Sequence, residues 1–84
     1  MNEQIVKEMR SISKTCNALE IAELLDSLLT ENLQQSNLIF YFKAAFPEIP
    51  LRALIKSSAW ERVGGGGLSD LKFIEALADW FPRK

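Results

Sequence analysis

Helix-breaking residues divide this chain more firmly than any other feature. Pro47 and Pro50 bracket Glu48 and Ile49, four glycines run from Gly64 to Gly67, and Pro82 follows a last apolar stretch. The residue before a proline is pushed out of the α region, and glycine ends helices by adopting the left-handed conformation. Any helix beyond residue 46 is therefore confined between Pro50 and Gly64, or between Gly67 and Pro82. Sheet structure finds little support. Leu38–Phe42 ("LIFYF") has the aromatic and branched composition of a strand, but no second run alternates with period two to pair with it.

Helical spacing accounts for the rest. Ile5, Met9, Ile12 and Cys16 step by four, three and four residues, which predicts a helix over 2–16 with one narrow apolar stripe. Asn17, with Glu20 three residues later, carries the spacing of a capping box, so a second helix begins at Ala18 and frays near Thr30–Asn32. Its apolar positions Ala18, Ile21, Ala22, Leu25, Leu28 and Leu29 are widened by Leu19 and Leu24, which implies more than one packing neighbour. Ser36 or Asn37 caps a third helix ending at Phe46. Pro50 suits the first position of a fourth, which runs to Trp60 or Val63 with Leu51, Leu54, Ile55 and Ser58 on one face. Ser69 caps a fifth, with Asp70 in its first turn and Phe73, Ile74, Leu77, Trp80 and Phe81 on its inner face. The expected fold is all-α: one domain spanning residues 1–84, a compact bundle of about five short helices with a Gly-rich turn before the last.

Composition suits a single small core. Hydrophobic residues make up 48% of 84, too many for a disordered chain. A core of this size leaves a thin stability margin, to which self-association would add burial. Net charge is −1, so no overall field draws the protein to nucleic acid or an anionic membrane. The longest uninterrupted apolar run, Leu38–Phe42, is far below the roughly 20 residues of a membrane span. A single cysteine and no visible secretory leader lead to an expectation of a cytoplasmic protein.

The residue inventory argues against catalysis. Histidine is absent, which removes the commonest general base and metal ligand. Cys16 continues the Ile5–Met9–Ile12 stripe and reads as a small core residue rather than a nucleophile. The carboxylate pairs Glu20/Glu23 and Glu75/Asp79 lie off the apolar stripes and lack the Glu-x-x-His pattern of di-iron bundles. Neither a cofactor nor a metal is expected. The glycine run is followed by Leu68 and Ser69, not by the Lys-Ser/Thr of a phosphate loop, and no strand precedes it. It reads as a turn, either mobile or pressed against another backbone. The last helix has one lysine against three acids, which disfavours a DNA-reading role.

What remains is recognition of another protein. Phe40 points away from Leu38, Tyr41, Phe42 and Ala45, and Trp60 points away from Leu51, Leu54 and Ile55 if the fourth helix stays regular. Both are candidate interface anchors, against the alternative that they fill a core. Glu20, Glu23 and Asp26 form an acidic face in a stretch, 18–35, that contains no Lys or Arg. Their mutual repulsion is offset if a cation lies opposite, either on a partner or within the chain, where Lys7, Arg10 and Lys14 are candidates; the alternative is a solvated face. In size, helix number and glycine turn the chain is similar to death-fold-like adaptor modules and to small helical immunity proteins and inhibitors. It carries no diagnostic motif of either. The expectation is a non-enzymatic interaction module, an adaptor or accessory subunit compatible with self-association. The alternative is an acidic-faced inhibitor or immunity-type protein that blocks a partner enzyme.

Overall fold

A computed structural model describes residues 2–30, 32–63 and 67–82. Five helices follow one another: α1 (Glu3–Ile12), α2 (Ala18–Leu28), α3 (Gln35–Ala45), α4 (Leu51–Ser57) and α5 (Asp70–Ala76). The described residues contain no strand, and "LIFYF" lies within α3.

The helix starts follow local chemistry. Asn17 Oδ1 accepts from Glu20 N at 2.9 Å while Glu20 Oε1 accepts from Asn17 N at 3.0 Å, so the expected capping box is complete. Ser69 caps α5 through a bond from Lys72 N. Two starts differ from expectation. α3 begins at Gln35, capped by Gln34 rather than by Ser36 or Asn37, and Pro50 is the cap of α4 rather than its first helical residue.

The ends fall earlier than periodicity indicates, and hydroxyl groups account for two of them. Ser11, Ser13 and Thr15 bond back to the carbonyls of Glu8, Arg10 and Ile12, so α1 closes at Ile12 and residues 13–16 form turns instead of helix. Ser57 and Ser58 bond back to Leu54 O and Ile55 O, and α4 stops at Ser57. Side chains that compete for the helix carbonyls in this way weaken the next turn. α5 passes into i→i+3 turns after Ala76, which still carry Leu77 and Phe81 into the core.

Each helix flanks two others. α1 packs on α2 and α3, α4 on α3 and α5, and α5 on α2 and α4, closing a ring in the order α1–α2–α5–α4–α3. α3 and α4 run antiparallel, tied at one end by Gln35 Nε2 donating to Ser58 O and at the other by Lys43 Nζ donating to Pro47 O and Ile49 O. Those bonds brace the proline corner, which inserts Ile49 fully into the core. Aromatic rings fill the centre. Phe42 meets Phe73 and Phe81 edge-on, Phe46 meets Phe81 at 4.8 Å, and Trp60 stacks on Phe73 at 4.6 Å. The Cα radius of gyration, 11.3 Å, is close to the ~12 Å expected for a folded chain of this length.

Candidate interaction surface

Two regions are candidates: a polar knot around Trp60 and an exposed apolar set on α3, α4 and α5.

The knot arises where α4 ends. Beyond Ser57 the chain turns, with Trp60 N donating to Ser57 O. Glu61 N then donates to Leu68 O at 2.8 Å and Leu68 N to Ala59 O at 3.0 Å, which pins both sides of the glycine run together as a single bridge between Trp60 and Leu68. Trp60 therefore does not lie on the outer face of a helix. It is 1% exposed, and its indole N–H donates to Asp70 Oδ1 at 2.7 Å. The expectation of Trp60 as an interface anchor is corrected: it belongs to the core, because the helix that would have turned it outward stops three residues earlier.

Asp70 holds a second partner. Its Oδ2 accepts from Arg62 at 2.9 Å, and the same guanidinium donates to Glu23 Oε2 at 3.0 Å. The Arg62 guanidinium also lies 5.2 Å from the Trp60 ring centroid. The hydrogen bond to Glu23 raises the Arg62 pKa above its ordinary value; desolvation opposes this and the Asp70 charge adds to it. Arg62 is thus the cation opposite the acidic face. Among the proposed internal donors, Arg10 is turned elsewhere, donating to Ala45 O at 2.8 Å.

The remaining carboxylates of that face also have intrachain roles. Glu20 completes the capping box, and Asp26 Oδ1 accepts from Leu33 N at 3.3 Å, folding the connector back over α2. Glu20, Glu23 and Asp26 are exposed, but each is engaged within the chain. A small cleft of about 240 Å³ opens beside them, lined by Asp26, Asn32, Leu33, Trp60, Arg62 and Val63.

Phe40 lies where its register on α3 places it. It is 52% exposed, while Leu38, Tyr41, Phe42 and Ala45 are buried. Three further apolar residues join it at the surface: Leu51 at 52%, Ile55 at 54% and Leu71 at 65%. Placing Leu51 and Ile55 on the buried face of α4 is the second correction. Leu54, Ser57 and Ser58 take that face instead, with Ala53 partly buried. The two serines are small, and their hydroxyls are satisfied on their own helix. Small size at those positions was the available signal that the larger Leu51 and Ile55 face outward.

Cys16 is half-buried and free, packed against the core. Among the described residues no three His, Cys, Asp or Glu side chains gather as a metal site, and no helix is long and apolar enough to cross a membrane. Gly64–Gly66 lie outside the described residues, as does Glu31 of the acidic stretch. Gly67 has φ +76°, and a Cβ there would meet nothing within 4 Å, so at this residue the turn is not pressed against another backbone. No protein-family model, curated protein or solved structure matches the chain.

Proposed function

We propose that the protein is a non-enzymatic protein–protein interaction module, acting as an adaptor or accessory subunit. The observation that carries this reading is the exposure of Phe40, Leu51, Ile55 and Leu71, each more than half exposed, beside a core that closes without them. Large apolar side chains left in water in a chain this small are the raw material of an interface. The acidic-faced inhibitor is less well supported, since Glu20, Glu23 and Asp26 each have an intrachain partner that a basic enzyme surface would have to displace.

The test is site-specific photo-cross-linking in the native host. A photoreactive phenylalanine analogue is placed singly at positions 40, 51, 55 and 71, with the exposed polar positions Ser11 and Ser27 as controls. A discrete protein adduct from the apolar positions and none from the controls is expected. A dimer-sized adduct identifies self-association as the mode. Absence of an adduct from all four apolar positions overturns the proposal.

A further inference from the structure

We propose that the outer face of α4 docks an acidic amphipathic segment of a partner protein; this rests on the interaction-module reading and specifies the chemistry of the partner. Leu51 and Ile55 are one helical turn apart, as are Arg52 and Lys56, so the exposed side of α4 carries an apolar pair alongside a basic pair. No acid lies within α4, and the nearest before it is Glu48. One cation of α5, Lys72, adjoins this face. Lys56 and Lys72 line one cleft of about 410 Å³ with Leu68, Ala76 and a single acid, Glu75. Among the described residues, every salt bridge belongs to Arg62; Arg52, Lys56 and Lys72 take part in none.

Charge complementarity selects the occupant. Cations around an apolar pair favour a partner with Asp or Glu beside its own apolar anchors, and they repel a basic one. A second copy of this chain is a poor match. α2 has the acids, but it has no large exposed apolar side chain and its carboxylates are engaged. α5 places Leu71 beside Asp70 and Glu75, but Asp70 is held by Trp60 and Arg62 and Lys72 adjoins Leu71, which leaves Glu75 alone next to one exposed apolar residue. An anionic membrane is a poor match too, because a seven-residue helix with three nearby cations falls short of the longer basic helices and clusters of four to eight Lys/Arg that bind such surfaces.

Three synthetic helical peptides test this against the isotope-labelled full chain by NMR titration. One carries two Leu at i,i+4 flanked by Glu, a second has Lys in place of every Glu, and a third has Ala in place of both Leu. The expected result is that the acidic apolar peptide shifts the amides of residues 51–56 and 68–72. The two control peptides should bind about tenfold more weakly or not at all, and Arg52→Glu with Lys56→Glu should weaken the first peptide about tenfold. Leu51→Ala with Ile55→Ala should do the same with an unchanged thermal melt, since both side chains are already more than half exposed. Equal binding of the three peptides, shifts centred on another face, no binding up to about 1 mM, or stronger binding to phosphatidylserine vesicles through the same residues would each overturn it. Cross-linking separates the two levels. An adduct from position 40 with none from 51 or 55 removes the α4 assignment and leaves the interaction module standing.

Discussion

The indole N–H of Trp60 has one acceptor, Asp70 Oδ1, and the ring around it is shut off from water. A buried donor that loses its partner costs about 1–3 kcal/mol, whereas a weakened exposed ion pair costs about 0–1 kcal/mol. The two roles of Asp70 can therefore be separated. Asp70→Asn keeps an acceptor for Trp60 but gives up the charge and the second acceptor oxygen that face Arg62, an exposed pair, so urea unfolding should show a loss of about 1 kcal/mol or less. Asp70→Leu removes the acceptor as well and should cost about 1–3 kcal/mol. Equal effects from the two substitutions would show that the Trp60 bond contributes nothing. The Arg62–Glu23 pair lies at side-chain exposures of 47% and 49%, so a double-mutant cycle of Arg62→Ala and Glu23→Ala should give a coupling of about 0.2–1 kcal/mol that falls with added salt. The raised Arg62 pKa works in the same direction at every ordinary pH. The contribution is present below the pKa of the unfolded side chain and is lost only as alkali exceeds the folded value.

At the level of elements, starts and ends obey different rules. The Asn17/Glu20 box is a local device, made by residues three apart, and it forms as expected. Asn17→Ala should cost about 0.5–2 kcal/mol, measured by chemical unfolding, with the loss centred on α2 in hydrogen exchange. Helix ends are less legible because apolar periodicity continues past them. Ile12 to Cys16 and Phe73 to Phe81 keep their spacing, yet hydroxyl back-bonding in 11–15 and i→i+3 turns after Ala76 replace regular helix. In these two stretches the spacing marks the residues that pack on the core, Ile74 excepted, but it does not distinguish a helix from a run of turns with similar pitch. Gly67 adds one backbone prediction. Its positive φ is in open space, so Gly67→Ala meets strain but no clash. The left-handed conformation costs an L-residue about 1–2 kcal/mol, offset by about 0.4–1 kcal/mol of reduced unfolded-state freedom, so the net loss should be about 1 kcal/mol.

At the scale of the molecule, the ring α1–α2–α5–α4–α3 shares one aromatic core, so no helix has a separate interior. Unfolding should be cooperative. In a Trp80→Phe background, Trp60 fluorescence and far-UV circular dichroism should trace the same urea transition; separated midpoints would mean that the Trp60 region opens on its own. The α4 assignment also carries a consequence for assembly. Because no exposed segment among the described residues complements this basic apolar face, light scattering should return a mass near 9.5 kDa as concentration rises.

The sequence by itself determined the fold class of this protein, its division into about five helices, two of its caps and the separation of Phe40 from the inner stripe of α3. These follow from interactions between residues a few positions apart, which the pattern of side chains records directly. Only the tertiary structure decided the fate of Trp60, Leu51 and Ile55. Trp60 is buried because the chain leaves the helix at Ser57 and is pinned across the glycine turn to Leu68, after which Asp70 and Arg62 close over the indole. Leu51 and Ile55 are exposed because Leu54, Ser57 and Ser58 form the side of α4 that packs against α3 and α5. Both outcomes depend on which neighbour an element meets, and within α4 itself only the small size of Ser57 and Ser58 points to that choice.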